Sequence, residues 1–371
     1  MANNALGLIF TNLHEENVPE LVRLRTMASI PYGGRYRIID FVLSNMVNSG
    51  ITTVGLMTTN NYRSLIDHIG SGKEWDLARK DGGLILLPPF SEKNDKLYTT
   101  RLEALSTLAG FLSRRKEKYI VLADCDGVAN FDIADILEYH ESKNADITLV
   151  THYGTLSHRS DFMIVESNKD GRISDVKITP QLPKGTKANI FINLMVFNRQ
   201  FLINMVEDCI SHGHTSFEKD IIAKQVNSLK LYRYDFKGYY AGIDSMSAYY
   251  RHNMELLDKE VRDELFGDRN IYTKVRDSAP STYGEDATVK NSLISDGCEI
   301  HGVVENSILF RGVKVEKGAV VKNSIIMQDN IIGANTSLNC VITDKNVVIS
   351  DTKNLSGCSS LPFFIQKGTR L

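Results

Sequence analysis

The sequence contains few cysteines, and none of them lies in a metal-binding spacing. Only five occur in 371 residues, and no two of them form a CxxC pair: Cys125, Cys209, Cys298, Cys340 and Cys358. An odd number of widely separated cysteines argues against a disulfide framework and against a zinc site. Such cysteine usage fits a protein that works in a reducing cytosol.

The sequence also lacks a charge excess and a long apolar run. Its 43 basic and 45 acidic residues give a net charge of -2, which provides no electrostatic attraction to nucleic acid or to an anionic membrane. No apolar stretch approaches the roughly 20 residues that cross a bilayer. Residues 1–10 have neither the basic start nor the apolar core of a signal peptide. We therefore expect a soluble cytoplasmic protein with no nucleic-acid or membrane partner.

The chain length and the order of its segments favour two domains. At 371 residues the chain is too long for one ordinary core. In its first part, short apolar runs alternate with helical segments; the runs lie at 5–11, 51–58, 84–87, 119–123 and 147–151, and the helices at 41–49, 62–69, 104–118 and 133–142. Because each run is hydrophobic throughout, we expect a mostly parallel sheet covered on both faces. In such sheets, ligands bind beyond the carboxyl ends of the strands.

The C-terminal part repeats a short phrase three times. The phrase is Val-Lys-Asn-Ser-Leu at 289–293, Val-Glu-Asn-Ser-Ile at 304–308 and Val-Lys-Asn-Ser-Ile at 321–325. Repeats of this length indicate a solenoid, in which each coil of about 18 residues contributes three short strands and buries its face against the next coil. An antiparallel sandwich with regular strands is the alternative, and the thrice-repeated phrase argues against it. We therefore expect a short β-helix.

The stretch 30–45 combines a tight loop with two arginines. The pair Gly33-Gly34 carries no Cβ, so the backbone of this loop can approach a ligand closely. Arg35 and Arg37 add permanent cations of the kind that bind phosphate. On these residues alone, a buried turn flanked by solvated arginines is the favoured interpretation, since a Gly-Gly pair is a weak signal. We expect this loop on the same rim of the sheet as Asp124-Cys125-Asp126.

This stretch and other motifs resemble the ADP-glucose pyrophosphorylase family, whose members join ATP and glucose 1-phosphate to give ADP-glucose and pyrophosphate. The match covers nearly the whole chain, and its motifs include Gly-Gly-Arg-Tyr-Arg-Ile-Ile-Asp-Phe at 33–41, Asn-Ser-Gly-Ile at 48–51, Phe-Glu-Lys-Asp-Ile-Ile at 217–222 and Tyr-Gly-Glu-Asp-Ala at 283–287. The resemblance implies an α/β fold, with a Rossmann-type, nucleotidyltransferase-like and mostly parallel sheet domain followed by a left-handed parallel β-helix. We place a nucleotidyltransferase-like domain at 1–245, a linker helix at 246–269 and a hexapeptide-type β-helix domain at 270–371.

The residues that hold ATP in this family are largely replaced. Counted back without gaps from Arg25, the family's glycine-rich triphosphate loop falls on 11–18, where no glycine is left and where Glu15 and Glu16 add negative charge. Side chains at these positions keep backbone amides from cradling phosphates, and carboxylates repel them. The family's Gly-Thr-Ala-x-Ala motif falls on 100–104, which keeps only the final alanine. We therefore expect no productive binding of ATP.

The metal-holding aspartates of the family are incomplete as well. The resemblance places the first at Asp126, with Asp124 as a near alternative, and the second at Gly242. Asp244, two residues further, would face the same way in an extended segment. One carboxylate alone holds Mg²⁺ poorly without substrate phosphates. We expect no metal site and no required cofactor; Mg²⁺ held by Asp126 with Asp244 belongs to an active alternative.

The phosphate and sugar side of the family's site has also changed. Two lysines of the family correspond to Met27 and Arg35. The family's Glu-Lys-Pro motif falls on residues 178–180, and its Ser-Met-Gly motif falls on residues 191–193. Asp126 and Arg35 are vestiges of catalytic residues, and we expect neither to be competent. The residues that could still bind a ligand are Gly33, Gly34, Arg35, Arg37, Lys219 and Asp220.

A preserved scaffold with losses at five elements is similar to the GlgD-type subunits of this family, which are catalytically degenerate. That resemblance implies a role in glycogen biosynthesis as a regulatory subunit. It also implies a GlgC-type catalytic partner in a hetero-oligomer, expected to be a heterotetramer. Alone, the chain should form at least a dimer, since an uncapped β-helix edge invites another subunit. A weakly active glucose-1-phosphate adenylyltransferase and a sugar-phosphate effector module are alternatives. A hexapeptide acyltransferase is disfavoured, because His301 has no evident catalytic setting.

Overall fold

The computed structural model of the chain describes residues 4–88, 98, 100–155, 162–180, 182–183 and 185–371. It contains an α/β domain, two short connecting helices and a stack of short parallel strands in three sheets. In this part of the chain, no helix has the length and apolar character needed to cross a membrane.

The strands and helices of the α/β domain alternate along the chain. Its strands are β1 Ala5–Phe10, β2 Pro31–Tyr32, β3 Tyr36–Arg37, β4 Thr53–Met57, β5 Gly83–Leu87, β6 Tyr119–Asp124, β7 Gly127–Val128, β8 Ile147–Thr155, β9 Met163–Ser167, β10 Ile173–Ile178, β11 Lys187–Asn198, β12 Leu231–Phe236 and β13 Ala241–Gly242. The helices are α1 Pro19–Val22, α2 Ile38–Asn48, α3 Arg63–Ile69, α4 Arg101–Thr107, α5 Ala109–Ser113, α6 Ile133–Ser142 and α7 Arg199–Ser211, followed by the connecting helices α8 Met246–Glu255 and α9 Lys259–Phe266. Short 3-10 turns lie at Glu15–Asn17, Met27–Ser29 and Lys73–Trp75, and a π-helical segment at Phe217–Ala223.

The large sheet of this domain is mixed. Its order is β10-β9-β11-β6-β1-β4-β5, with β8 beside β11 and β12 beside β8. Strands β6, β1, β4 and β5 are parallel, whereas β11 runs antiparallel to β6. Alternate residues of β1 enter two separate cores, with Ile9 in one and Leu8 and Phe10 in the other. The predicted fold class is confirmed, and burial on both faces explains why the strands read as continuous apolar runs.

Two predicted helices are each divided in the structure. The segment 104–118 forms α4 and α5, because the N–H of Leu108 bonds to a carbonyl three residues back and the chain turns there. The segment 246–269, predicted as one linker helix, contains α8 and α9. A similar tight turn separates the two helices. The Asp258 side chain then caps α9, because it accepts a hydrogen bond at 2.9 Å from a backbone N–H in the first turn of that helix.

The C-terminal domain is a stack of parallel coils. Its strands are β14 Thr282–Tyr283, β15 Thr288–Lys290, β16 Leu293–Ile294, β17 Glu299–Ile300, β18 Val303–Glu305, β19 Ile308–Leu309, β20 Lys314–Val315, β21 Val320–Lys322, β22 Ile325–Ile326, β23 Ile331–Ile332, β24 Ser337–Asn339, β25 Val341–Thr343, β26 Val348–Ile349, β27 Asn354–Ser356 and β28 Phe363–Ile365. Every third strand pairs in parallel, so the first sheet is β14-β17-β20-β23-β26 and the other two follow the same rule. This arrangement confirms the predicted β-helix.

The repeated Asn-Ser phrase lies at a corner of each coil. Its asparagines adopt the left-handed conformation, with φ of 43° at Asn291 and 48° at Asn323, which asparagine tolerates better than most residues. The serine hydroxyls accept hydrogen bonds from the next coil, at 3.1 Å from the Ser307 N–H to Ser292 Oγ and at 3.1 Å from the Ser324 N–H to Ser307 Oγ. The repeat therefore fixes both the turn and the stacking of the coils.

The two domains share one apolar core and a buried ion pair. Ile308, Ile325 and Ile342 of the β-helix belong to the same buried cluster as the interior of the α/β domain. Arg25 donates from Nη2 to both carboxylate oxygens of Asp344, at 2.6 and 2.7 Å, and both side chains are buried. This charge-assisted contact ties the β-helix to the α/β domain.

Breaking the ion pair between the domains should destabilise the protein. We expect Asp344→Ala to lower the free energy of unfolding by about 3–5 kcal/mol, because Arg25 becomes a buried charge without compensation. Urea denaturation followed by circular dichroism measures this. Lys317→Ala, which breaks an exposed pair with Asp286, is the control and should have little effect. An Asp344→Ala variant as stable as the control would contradict the account.

Lys345, beside that pair, should make stability depend on pH. Burial, with Arg37 and Arg25 nearby, lowers the pKa of Lys345 from 10.5 to about 6. Between these values the unfolded chain binds more protons than the folded chain, so the free energy of unfolding should rise with pH. We expect Lys345→Met to stabilise the protein at about pH 6.5, and the gain to shrink toward about pH 9. Denaturation at both pH values, with the exposed Lys353→Met as control, tests this; a gain independent of pH would refute it.

Candidate functional site

A cleft of about 630 Å³ opens next to the carboxyl end of β1. Its lining includes the loop after β1, the start of α4, strands β8 and β11, the π-helical segment, the chain around β13 and the second half of α8. The rule that ligands bind beyond the carboxyl ends of strands in α/β sheets predicts a site at this position.

A buried arginine joins three elements at the floor of this cleft. Arg101 lies in the first turn of α4, whose N-terminus is capped by Thr100. Its Nη2 donates to Asp124 Oδ2 at 2.6 Å, and its Nη1 pairs with Glu218. Burial would raise the pKa of Asp124, but the pairing with Arg101 and the hydrogen bond from His14 outweigh burial and lower it. The floor therefore holds a charged carboxylate with its counter-ion already in place.

Two further side chains contact Asp124 and Asp126. His14 Nε2 lies 2.9 Å from Asp124 Oδ2, and Asn193 Nδ2 donates to Asp126 Oδ2 at 2.7 Å. Asn193 Oδ1 also accepts from Arg101 at 3.3 Å. Both His14 and Asn193 have positive φ, 66° and 57°, so the backbone bends at each to direct its side chain into the network. Together with the pairing of Arg101 and Glu218, the result is one network that connects five segments of the chain.

The loop after β1 is held by side chains in the region where the family's phosphate loop falls. Asn12 Nδ2 donates to Glu15 Oε1 at 2.6 Å, and Asn12 Oδ1 accepts from the Thr59 N–H at 3.0 Å. Burial raises the pKa of Glu15 to about 7, against the lowering effect of Asn12. The expectation of two full negative charges here is therefore too strong, since Glu15 is only partly ionised near neutral pH while Glu16 is exposed to solvent.

This arrangement does not fit a magnesium ion. Mg²⁺ requires about six oxygen ligands in octahedral geometry, and it parts reluctantly from its water. Asp124 Oδ2 already contacts Arg101 and His14, and Asp126 Oδ2 accepts from Asn193. Within the described ranges, no group of three or more His, Cys, Asp or Glu side chains could hold a metal ion. The guanidinium charge beside Asp124 also opposes the approach of a second cation.

Asp244 lies on the same cleft, as its position in the sequence predicts. Both Gly242 and Asp244 line the cleft, and Asp244 Oδ1 accepts a hydrogen bond from Ser245 Oγ at 3.2 Å. The intervening Ile243 N–H donates to the carbonyl of Asp126 at 2.8 Å, which brings the two segments side by side. The β13–β7 pairing thus brings the backbone around Asp244 beside that of Asp126.

The Gly33-Gly34 loop occupies a different place from the expected rim. It forms the turn between β2 and β3, and neither Gly33, Gly34, Arg35 nor Arg37 lines the cleft. The Gly33 N–H donates to Asn253 Oδ1 of α8 at 3.0 Å, and a Cβ on Gly34 would lie 2.8 Å from a serine of the β-helix. Positive φ angles of 59° and 85° favour glycine at both positions. The loop is therefore a contact between domains.

The two arginines of that loop separate in the structure. Arg37 donates to the Ser64 carbonyl at 2.6 Å, whereas Arg35 is exposed beside the Tyr36 ring. Neither directs its charge toward Asp124 or Asp126. The sequence favoured a buried turn flanked by solvated arginines; Arg35 is exposed, whereas Arg37 is partly buried and held by Ser64.

The remaining predicted pair, Lys219 and Asp220, also separates. Lys219 is exposed and lines the cleft. Asp220 accepts from the Ser216 N–H at 3.0 Å and pairs with Lys224 at 2.9 Å, contacts that hold the turn before the π-helical segment. Of the predicted ligand-binding residues, Lys219 is therefore the one with access to the cleft among those that the structure describes.

Sequence reasoning missed the residues that organise the floor of the cleft. These are His14, Arg101, Asn193 and Glu218. Three of them, His14, Arg101 and Asn193, lie in segments that depart from the family's motifs. The sequence alone indicates only that the family's residues are missing there. The available signal was their chemistry: a cation in one motif and an amide in another can satisfy buried aspartates.

Family models match most of the chain. A model described as nucleotidyl transferase matches residues 21–259, and one described as GlmU-like C-terminal hexapeptide matches 278–356. The two matches fall on the α/β domain with its connecting helices and on the β-helix.

Several named proteins are similar over most of their length. A glucose-1-phosphate adenylyltransferase of Clostridium perfringens is 37% identical over 309 residues, covering 82% of this chain and 78% of that protein. The glycogen biosynthesis protein GlgD of Bacillus subtilis is 33% identical over 367 residues, covering 99% and 96%. A glucose-1-phosphate adenylyltransferase of Thermosipho melanesiensis is 35% identical over 326 residues, covering 86% and 78%. The resemblance inferred from the motifs is confirmed, and the chain belongs to the nucleotidyl transferases of the ADP-glucose pyrophosphorylase family, in which GlgD is a relative that matches it from end to end.

Proposed function

We propose that this chain is a regulatory, non-catalytic subunit in glycogen biosynthesis, which associates with a GlgC-type glucose-1-phosphate adenylyltransferase and modulates its synthesis of ADP-glucose. Similarity to GlgD over 99% of the chain supports the pathway. The relatives named glucose-1-phosphate adenylyltransferase support the chemistry of the partner. On this proposal, the chain alone has no activity or very weak activity and requires no cofactor.

The observation that carries the proposal is the internal neutralisation of the carboxylates at the end of β6. Transfer between phosphates requires a cation that bridges phosphate oxygens and carboxylates that hold this cation. Here Arg101 and His14 already contact Asp124, and Asn193 contacts Asp126. The loop after β1 presents side chains where a phosphate cradle needs bare backbone amides. A cleft arranged in this way supports binding or regulation better than catalysis.

Helix α8 supports a regulatory role, because it connects the cleft to the β-helix and to the β2–β3 hairpin. Its Arg251 and His252 line the cleft. The adjacent Tyr250 donates from its hydroxyl to the Asn323 carbonyl of the β-helix at 2.7 Å. The His252 carbonyl accepts from the Tyr32 hydroxyl, at 2.9 Å, in the β2–β3 hairpin. A network of contiguous contacts can couple two sites energetically when the contacts adopt two discrete arrangements.

The ends of the β-helix support association with other chains. The first coil begins with β14 and β15, whose residues are all exposed, and β14, β15 and β16 each form the edge of a sheet. Open strand edges readily pair with another chain. We infer that the chain forms at least a dimer alone and a mixed tetramer with its catalytic partner.

Pyrophosphate release from ATP and glucose 1-phosphate with Mg²⁺ tests the regulatory role. The assay compares this chain alone, a GlgC-type enzyme alone and the two mixed. We expect no release by this chain, and a mixture that differs from the enzyme alone by about fivefold or more, the lower end of typical couplings. An unchanged rate on mixing, with no complex in size-exclusion chromatography, would contradict the proposal.

The variant Asp126→Asn distinguishes the regulatory subunit from a weakly active enzyme. If Asp126 serves only the internal network, its replacement should leave the effect on the partner within about twofold, because asparagine keeps the size of the side chain and its hydrogen-bonding capacity. If the chain itself turns over, the same replacement should abolish its release of pyrophosphate. Robust activity of the chain alone, lost in Asp126→Asn, would overturn the non-catalytic assignment.

A second candidate, a binding module for a sugar phosphate, rests on the cleft itself. The cleft keeps about 630 Å³ of space, with Lys219 and Arg251 at its margin as cations. Lys219 is exposed, so it can turn toward a bound phosphate without breaking a buried contact. This role is compatible with regulation, because a bound effector would contact α8 directly.

Thermal denaturation with glucose 1-phosphate tests this second role. A ligand that binds only the folded chain stabilises it by about 2.7 kcal/mol at a hundredfold excess over its Kd, so the apparent Tm should rise with concentration. Lys219→Ala should abolish the rise. Lys224→Ala removes a nearby lysine that pairs with Asp220 outside the cleft, and it should retain the rise. Equal shifts in both variants, or no shift in the parent, would exclude the module.

A further inference from the structure

We propose that the cleft binds an uncharged oligosaccharide of glucose, with the faces of the sugar rings against an apolar wall from β9, β10 and β11 and the hydroxyl groups on polar side chains after β13 and in α8. The inference goes beyond a sugar phosphate as ligand. Its choice of glucose rests on the proposed role in glycogen biosynthesis, because glycogen is a polymer of glucose.

One wall of the cleft is apolar. Ile178 at the end of β10 is paired with Met163 of β9, and β11 joins β9 at Ile190; all three residues line the cleft. Phe162 and Phe191 extend this wall. The segments 178–180 and 191–193 are those on which the family's Glu-Lys-Pro and Ser-Met-Gly motifs fall. This part of the cleft therefore offers apolar contact where the family pattern has charged and small polar residues.

Aromatic rings in the lining suit the faces of sugar rings. His152 and Tyr240 both line the cleft, with ring centroids 5.7 Å apart and planes inclined by 41°. Phe162 supplies a further ring. A glucose ring carries C–H groups on its faces and hydroxyl groups around its edge. Because the face of an aromatic ring is partially negative and a C–H group is partially positive, the two pack favourably.

The charges that line the cleft balance one another. Among the described residues of the lining, three side chains are acidic and three are basic: Glu16, Glu218 and Asp244, and Arg101, Lys219 and Arg251. Arg101 and Glu218 pair with each other, which leaves Glu16 and Asp244 to offset Lys219 and Arg251. A cleft concentrates an anion when one sign of charge prevails in it. Here neither sign prevails, so the lining favours an uncharged ligand over a phosphorylated one.

The polar side chains of the lining supply both acceptors and donors. The Asp244 carboxylate accepts hydrogen bonds, whereas Arg251 and Lys219 donate them. A sugar hydroxyl both donates and accepts, so it can use all three groups. An ionised phosphate only accepts, and the carboxylate repels it. His252 keeps the Arg251 guanidinium at the cleft, since its Nε2 is 3.2 Å from Arg251 Nη2 and its Nδ1 is 2.8 Å from Glu255 Oε2.

The cleft is large enough for more than one sugar ring. Its volume of about 630 Å³ lies within the range of clefts that hold drug-sized ligands, to which an oligosaccharide of about three rings belongs. A ligand that contacts Arg251 also contacts α8, and Tyr250 of that helix donates to the Asn323 carbonyl of the β-helix. Binding of the oligosaccharide is therefore connected to the domain whose strand edges are open to another chain.

Isothermal titration calorimetry of the full chain with maltotriose tests the inference, with glucose 1-phosphate as the competing ligand. We expect a Kd for maltotriose below about 1 mM, and binding at least about tenfold tighter than that of glucose 1-phosphate. Phe162→Ala removes one ring of the wall and should raise the Kd for maltotriose by about threefold or more. Tyr153→Ala removes an exposed ring of β8 that does not line the cleft, and it should keep the Kd of the parent.

A second variant tests the polar side of the cleft. Asp244→Ala removes a charged acceptor of sugar hydroxyls and should raise the Kd for maltotriose by about tenfold or more. Asp208→Ala, which removes an exposed carboxylate beside His212 on α7, is its matched control and should bind as the parent does. Thermal denaturation establishes which variants are folded, and if one of the two cleft variants does not fold, the other decides. Three results each overturn the inference: no binding of maltotriose by the parent, tighter binding of glucose 1-phosphate, or maltotriose binding that the folded cleft variants do not weaken.

The outcome separates this inference from the proposed function, because maltotriose is titrated on the chain alone and regulation is measured in the mixture. A chain that modulates its partner but binds no maltotriose overturns the oligosaccharide site only. A chain that binds maltotriose through Phe162 and Asp244, yet neither forms a complex with the partner nor changes its rate, overturns the regulatory role and supports the site.

Discussion

Asp124 and Asp126 are buried where β6 ends, and burial of their carboxylates requires compensating charges and hydrogen bonds. The side chains that provide them form the floor of the cleft. Burying a carboxylate without a partner is costly, and a buried pair is stable only when its hydrogen bonds are nearly complete. Arg101 supplies the charge, and His14 and Asn193 supply most of the remaining contacts. These side chains come from the loop after β1, from α4 and from β11. Their contacts with the aspartates therefore also fix the positions of three segments that line the cleft.

The contacts that stabilise the family scaffold lie apart from the compensated aspartates. The sheet, the connecting helices and the β-helix stabilise one another through a shared core and through Arg25 and Asp344, none of which depends on a bound metal or nucleotide. The cleft keeps its volume and its contact with α8, which in turn contacts the β-helix through Tyr250. On the proposed function, such a chain would pass a signal to its partner without transferring a phosphate.

The sequence predicted the parts of the structure that local pattern determines. The run 133–142 reads as a helix and is α6, and the Asn-Ser phrase predicts coils whose corners those residues form. The direction of β11 was not predictable, because a buried strand has the same composition in either orientation. Nor was the pairing of Arg101 with Glu218, since these side chains are 117 residues apart and meet only through the assembled sheet.

Isotope exchange in the reverse direction tests the central claim most directly. The chain alone is incubated with ADP-glucose, Mg²⁺ and labelled pyrophosphate, and the label is then measured in ATP, which detects even rare turnover. If the carboxylates of β6 are neutralised from within, the parent should incorporate no more label than Asp126→Asn, while a GlgC-type enzyme in parallel labels ATP readily. Incorporation by the parent above that of Asp126→Asn would show a working metal site and contradict the account.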